Sequence, residues 1–363
     1  MSFTIETGKK FETAEDVKPY LDKIDPATTE VRFGGSTYSV AATKAIAEKL
    51  RELEHLEYAG LDDMFTGRDG PEIAESMKDM LEALEGKATL HTVDLSDNAF
   101  GIVALDPLKK FLASHAPLEH LIFANNGFGP HSGATIGAAL EELAAVKKAA
   151  DSKPLRTVVC GRNRLETGSM ENWAKFLKAH GTIEVLRIYQ NGIRQEGIEQ
   201  LMLEGLAHSP NLKVLDLTDN TITEKGAKAL AKVVHNWKGL EELALSDCLV
   251  SSKGTVAIAE NIAKIEMPSL HTVRLQYNEI NRKALSSLNV AVKRSIPNLK
   301  LIELNGNCFP EDHVEELQIL FEERGHGEVD ELDDMESEEE DSDEEDESDA
   351  ESLAEAVKDV HIA

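Results

Sequence analysis

The 363-residue chain reads as a crescent-shaped α/β solenoid, with parallel strands inside and helices outside. Three observations carry that expectation. One short motif recurs along the sequence: an apolar residue, two variable ones, an apolar–x–apolar pair, two variable ones, then asparagine. Its clear copies recur at close to 28 residues, which leaves room for one short strand and one full helix. The intervening segments show helical periodicity rather than strand alternation.

The clear copies are LHTVDLSDNAF from Leu90, LEHLIFANNGF from Leu118, LRTVVCGRNRL from Leu155 and IEVLRIYQNGI from Ile183. They continue as LKVLDLTDNTI from Leu212, LEELALSDCLV from Leu240, LHTVRLQYNEI from Leu270 and LKLIELNGNCF from Leu299. Two degenerate copies precede them, VRFGGS at Val31 and LEHLEYAGL at Leu53. The asparagine slots then fall at Ser36, Leu61, Asn98, Asn126, Asn163, Asn191, Asn220, Cys248, Asn278 and Asn307. Their gaps are 25, 37, 28, 37, 28, 29, 28, 30 and 29 residues. This is the leucine-rich repeat signature in its long, ribonuclease-inhibitor-like form, with about 10–11 repeats in all. A single unit cannot bury its apolar face, so neighbours must stack. The asparagine amides should bond the backbone of the turns as a ladder, with Cys248 filling one slot as a small, mostly apolar residue.

Residues 1–28 read as an N-terminal cap. Within it, Thr13-Ala-Glu-Asp16 resembles a capping box that opens a short helix through Ile24. The solenoid is assigned to 29–327. After Asn220, Ala227, Leu230, Ala231 and Val234 share one helical face, and Lys225, Lys228 and Lys232 the other. Gly197, Ile198, Leu201 and Leu206 repeat the pattern after Asn191. Prolines at 117, 154, 210, 268 and 297 lie just ahead of the next strand, where a helix must already have stopped.

The net charge of −29 is unevenly placed: residues 328–351 hold 17 acidic side chains and no basic one, so 12 of those charges lie elsewhere. This segment is expected to be a disordered acidic tail, serving solubility or offering a handle to a basic partner. Ser337, Ser342 and Ser348 precede acidic residues, as acidophilic kinases favour. In the final segment, 352–363, Leu353, Val357, Val360 and Ile362 have the spacing of a leucine-type export signal for an export receptor. A short amphipathic helix is the alternative. No basic stripe points to nucleic acid, and no apolar stretch approaches membrane-spanning length. Cys160, Cys248 and Cys308 all sit inside motifs, so a reducing intracellular setting is expected.

Signatures of enzymes are missing: there is no GxxxxGK[ST] loop, HExxH, CxxC or GxSxG. His115 and His120 lie near a turn without the partners a zinc site needs. The histidines therefore read as surface or strand-end residues. A partner-binding surface is the default for such a solenoid.

Two departures locate the candidate site. The 37-residue gap after Leu61 carries DDMFTGRDGPEIAESM, which raises Arg68 on a glycine-bordered loop at a strand exit, placed to reach a partner. The gap after Asn126 is filled around 146–154 by lysine and alanine, read as helix extension. In ANNGFGP at 124–130, Asn126 is the ladder residue, but Asn125 has no such explanation. Its slot elsewhere holds Asp97, Arg162, Gln190, Asp219, Asp247, Tyr277 and Gly306, a polar rim along one edge. Asn125 thus offers an exposed amide able to donate and accept.

FTGR at 65–68, LSDNAFG at 95–101, PLEHL and NNGFGP within 117–130, and CGRNRLETGSM at 160–170 resemble the Ran GTPase-activating proteins of fungal type. QNGIRQEGIE at 190–199, LDLTDN at 215–220, VRLQYNEI at 273–280, ELNGN at 303–307 and GEVDELDDMESEEE extend the likeness over essentially the whole chain. An unrelated repeat protein would share the leucines but not these stretches. The resemblance implies a monomeric cytoplasmic activator, able to shuttle through the nucleus, that serves nucleocytoplasmic transport. It would act on Ran in its GTP form, with a Ran-binding protein as a further partner left open. It implies no cofactor, since GTP and Mg stay with the GTPase, and no hydrolysis of its own. Arg68 matches the family's functionally important arginine. Asn125 matches the asparagine implied to order the catalytic glutamine of Ran, in place of an inserted arginine finger. Arg162, Arg164, Asp219, Asp247, Asp97 and Gln190 are the implied rim contacts. The family's basic residue two places after the loop arginine is Gly70 here, and the folded C-terminal domain of animal relatives has no counterpart. The alternative is a non-catalytic scaffold or inhibitor binding a partner on its concave face; the inhibitors of this type are far richer in cysteine.

Overall fold

The computed structural model describes residues 1–336. Fourteen short strands occur among them. The first five are β1 (Ser2–Thr4), β2 (Lys10–Phe11), β3 (Glu30–Arg32), β4 (Thr37–Tyr38) and β5 (Tyr58–Gly60). They are followed by β6 (Thr92–Asp94), β7 (His120–Ile122), β8 (Thr157–Val159), β9 (Val185–Arg187) and β10 (Val214–Asp216). The last are β11 (Glu242–Ala244), β12 (Thr272–Arg274), β13 (Leu301–Glu303) and β14 (Glu328–Val329). All but β2 and β4 form one 12-stranded parallel sheet, in chain order from β1 to β14. Between strands run helices, among them α1 (Ala14–Leu21), α2 (Val40–Glu52), α3 (Gly70–Leu84), α4 (Leu105–Ser114) and α5 (Gly129–Ala149). Strands about 4.8 Å apart cannot stay level with helices about 10 Å across, so the sheet takes the inside of the curve.

In the three-residue strands from β3 to β13 the middle residue faces the core, and most flanking residues face the open side. Val31, Val93, Leu121, Val158, Leu186, Leu215 and Ile302 are all completely buried. Behind them lie Trp173, Trp237, Phe111, Phe123 and Phe176, also fully enclosed. The ladder is present as expected. The Asn126 amide donates to the carbonyls of Leu95 (3.0 Å), Phe123 (3.0 Å) and Ala124 (3.2 Å), and its oxygen accepts the Asn98 N–H (3.0 Å). Asn163, Asn191, Asn220, Asn278 and Asn307 bond carbonyls of the preceding turn in the same way. The Cys248 thiol, with one hydrogen, faces the Leu217 carbonyl at 3.2 Å and the Ser246 carbonyl at 3.3 Å.

The register corrects one motif. Gly60 pairs with Asp94, so the second degenerate copy begins at Leu56 rather than Leu53. Its slot is then Met64, not Leu61, and the Met64 N–H bonds the Asn98 side-chain oxygen at 2.8 Å. Leu53 and Leu56 are spaced like the motif's own leading pair, which makes the frame ambiguous by one step. The gaps become 28 and 34 residues, so the first insertion is shorter than the sequence suggests. Much of it is taken up by α3, which is 15 residues long.

Both ends of the solenoid extend past the assigned boundaries. Within the presumed cap, β1 pairs with β3, Phe3 opposite Val31. At the other end, β14 pairs with β13, Ile302 opposite Val329, beyond position 327. Asp330 then accepts the N–H groups of Leu304 (2.6 Å) and Asn305 (3.2 Å), which no strand among the described residues satisfies. The opening of the acidic segment is therefore part of the ordered sheet. The remainder, including Ser337, Ser342, Ser348, Leu353, Val357, Val360 and Ile362, lies outside the described residues.

Local chemistry explains the helices. Thr13 and Asp16 form the reciprocal capping box, and the helix they open ends at Leu21, with Ile24 bonded back to the Leu21 carbonyl. The second insertion does lengthen a helix: α5 spans 21 residues. Its Lys147 is buried and donates to the carbonyls of Ala116 (2.7 Å) and Lys153 (2.8 Å), and burial lowers its pKa to about 8. Two histidines are not the surface residues expected. His115 is buried, stacked on Phe111 and bonded to the Leu90 carbonyl at 2.8 Å, and burial lowers its pKa. His180 is held to the Leu140 carbonyl at 2.8 Å, and burial lowers its pKa to about 4.

Candidate functional site

Strands β6 to β12 leave the sheet through the same backbone device. The residue just before each ladder position lies in the left-handed region: φ is 61° at Asp97, 53° at Asn125, 58° at Arg162, 52° at Gln190, 56° at Asp219, 52° at Asp247 and 53° at Tyr277. Their N–H groups bond the next repeat, as from Asn125 to the Gly161 carbonyl at 2.8 Å and from Arg162 to the Tyr189 carbonyl at 2.9 Å. This conformation suits asparagine, aspartate and glycine, and it turns the side chain away from the core. One polar side chain per repeat thus stands on the rim, as the motif alignment expects.

Asn125 is half-buried. Its amide nitrogen donates to Asp97 Oδ1 at 2.7 Å, across 28 residues of sequence. Its Oδ1 has no hydrogen-bond partner among the described residues. The neighbouring Asn126 is fully buried and its amide is spent on the ladder, so the two adjacent asparagines have separate duties.

Arg68 differs from the expectation. Its side chain is only 8% exposed and folds back onto the N-terminal segment instead of projecting. Nε donates to Thr37 Oγ1 at 3.2 Å, one terminal nitrogen pairs with Glu12 at 2.8 Å, and the other reaches the Phe11 carbonyl at 3.4 Å. The guanidinium, with Lys10 assisting, holds the Glu12 carboxyl down to a pKa of about 2. Three partners 31 to 57 residues away in sequence make Arg68 a brace between the loop and the cap in this structure.

Around these residues the surface is acidic and apolar by turns. Burial raises the pKa of Asp94, and the neighbouring carboxylates of Asp62 and Asp97 raise it further. On the sheet face, the Arg32 guanidinium lies 4.2 Å from the centre of the Tyr58 ring. Ile102 and Val103 are 64% and 44% exposed in the turn after β6, and Val103 lies against Gly70 at the start of α3. Sequence reasoning missed both groups. The strand positions flanking the buried apolar residue could have pointed to the first; an apolar pair inside a glycine-containing turn could have pointed to the second.

The Arg162 and Arg164 side chains are exposed and have no hydrogen-bond or ion-pair partner among the described residues. Further along, the sheet face is self-neutralised: Arg187 pairs with Asp216 (3.1 Å) and Glu242 (2.7 Å), and Arg274 with Glu242 and Glu303 (3.0 Å). Burial pushes the Glu242 carboxyl up, but the two arginines outweigh it and its pKa falls. Gln190, Asp219 and Asp247 are exposed on the rim beside this network. Among the described residues no cluster of His, Cys, Asp or Glu is placed to hold a metal, and no helix is long and apolar enough to cross a membrane.

A family model for the leucine-rich repeat matches residues 208–231, which contain β10 and the Asn220 turn. Over 313 residues the chain is 39% identical to Ran GTPase-activating protein 1 of Saccharomyces cerevisiae, covering 84% of this chain and 77% of that protein. The chain belongs to the Ran GTPase-activating protein family. Ran GTPase-activating protein 2 of Caenorhabditis elegans is 43% identical over 194 residues, 52% of this chain and 20% of the relative. The Ran GTPase-activating protein of Drosophila melanogaster is 36% identical over 208 residues, 56% of this chain and 35% of the relative. The resemblance read from FTGR, NNGFGP and CGRNRLE is thus borne out at the level of the family.

Proposed function

We propose that this protein stimulates GTP hydrolysis by Ran and holds no nucleotide itself, with the rim from Asp97 to Arg164 as the docking edge and Asn125 as the residue that orders the catalytic glutamine of Ran. Family membership supports the activity. The observation that carries the site is the half-buried Asn125 amide, anchored on one side and unpaired on the other. Ile102 and Val103 add an apolar contact beside it, and Arg162 and Arg164 supply two uncommitted cations for an acidic switch surface. Asp219, Asp247 and Gln190 extend the contact along the rim. Activators of this kind raise hydrolysis by about 10³- to 10⁵-fold, or about 4–7 kcal/mol of barrier. They do so by placing groups around developing charge rather than by covalent chemistry. A cytoplasmic location would keep Ran-GTP low outside the nucleus.

The deciding assay is phosphate release from GTP-loaded Ran with catalytic amounts of this protein. A passive scaffold leaves the rate unchanged, and an intrinsic hydrolase releases phosphate from free GTP without Ran.

Arg68 supports this site from behind. Reaching into a partner would require it to give up Glu12, Thr37 and Phe11 together, which favours bracing over insertion. Arg68→Ala should lower both the apparent affinity for Ran-GTP and the maximal rate, by about tenfold or more in their ratio. Glu12→Gln separates the two roles. Bracing predicts a smaller loss in the same direction, whereas a gain of activity would mean that Arg68 works by leaving its partners and touching Ran.

A further inference from the structure

The hydrogen bond between Asp97 and Asn125 has no parallel elsewhere on the rim. Among the described residues, no other two neighbouring rim side chains bond each other: Arg162, Gln190, Asp219 and Asp247 stand separately, and Tyr277 reaches Asp334 instead. Asp97 and Asn125 occupy equivalent left-handed positions in adjacent repeats, φ 61° and 53°, so neither can shift far without its strand exit moving too.

A primary amide has a donating and an accepting end that are nearly alike in shape, and its environment selects the orientation. Here the selection is strong. A carboxylate accepts but cannot donate, so a flipped amide would set oxygen against oxygen at 2.7 Å. The bond is charge-assisted and among the stronger side-chain hydrogen bonds. We infer that Asp97 is a positioning residue that locks the Asn125 amide with its Oδ1 free, so that the site presents an oriented acceptor to a primary-amide donor on the partner.

This rests on the reading of Asn125 given above and settles its chemical sense. The glutamine of Ran would donate its NH₂ to Asn125 Oδ1, which leaves the glutamine's own carbonyl oxygen to accept from the attacking water. A freely rotating amide would also bind the glutamine the opposite way round, turning the glutamine's NH₂ toward the water, where it cannot accept a proton.

The test uses the full chain in single-turnover Ran-GTP hydrolysis, with activator titrated to saturation. Asp97→Gly removes the carboxylate and suits the left-handed backbone; Gly306 already fills the same slot with φ 71°. It should lower the maximal rate by about tenfold with the half-saturating concentration changed by less than about twofold. In an Asn125→Gly background it should lower the rate no further, since the group it positions is gone. Asp97→Asn, whose amide can donate as well as accept and so no longer selects the orientation, should recover only part of the rate. A wild-type melting temperature in Asp97→Gly excludes misfolding as the cause. Additive losses in the double variant, or a change confined to the half-saturating concentration, would overturn the positioning role. If Asn125→Gly is slow while Asp97→Gly matches the wild type, only the Asp97 inference falls. If Asn125→Gly itself turns over at full rate, the reading beneath it falls as well.

Discussion

Removing the Asn125 amide lowers the maximal rate of Ran-GTP hydrolysis by about 100-fold or more and changes the half-saturating activator concentration by less than about threefold. The split follows from where the group sits. On the proposed docking edge one side chain contributes little to a contact that also includes Arg162, Arg164 and the Ile102–Val103 pair. Its placement matters only when the glutamine of Ran must be held for the chemical step, and an interaction made at that stage appears in the rate rather than in binding. Asn125→Gly is the cleaner variant, because φ of 53° strains alanine by about 1 kcal/mol and does not strain glycine. Stopped-flow phosphate release across an activator titration gives both parameters. Wild-type turnover at saturation would remove the glutamine-ordering role, whatever happens to affinity.

One residue along, the outcome reverses. Asn126→Ala should cost about 2–4 kcal/mol of stability, because it strands the buried N–H of Asn98 and removes one of the two amide donors to each of the Leu95 and Phe123 carbonyls. No water reaches them, since Asn126 is completely buried. Urea denaturation followed by circular dichroism measures this, and a loss below about 1 kcal/mol would mean that the ladder is decorative. Asn125→Gly should leave the midpoint nearly unchanged. The two measurements thereby separate the adjacent asparagines, one serving the fold and one proposed to serve the partner.

Much of this architecture could be read from the sequence because it repeats. A leucine at Leu121 or Leu215 is interpretable once the other copies keep the same phase, and the rim positions follow by counting one step back from each ladder residue. What repetition does not encode was harder. Met64 carries no amide, so nothing in its chemistry announced the slot, and the leucines at 53 and 56 allowed the frame to slip. The posture of Arg68 depends on Glu12, Phe11 and Thr37, which are brought near only by the docking of the cap. A glycine-bordered loop says that an arginine could project, not that a carboxylate waits behind it. The acidic segment misled for a related reason: composition counts charge, but it does not say that Asp330 accepts the N–H groups of Leu304 and Asn305 beside β13. Family-level function came from stretches such as FTGR and CGRNRLE, which no packing requirement dictates.

The left-handed strand exits set out one side chain for every rung, at the pitch of neighbouring strands, about 4.8 Å. A globular visitor about 30 Å wide therefore covers about six rungs at once. Most of those teeth could be filed down singly with little loss of grip, and evolution is free to exchange them to suit a different visitor. On the proposed mechanism the tooth at repeat four is the exception, because what it holds is an atom in motion and not a surface at rest.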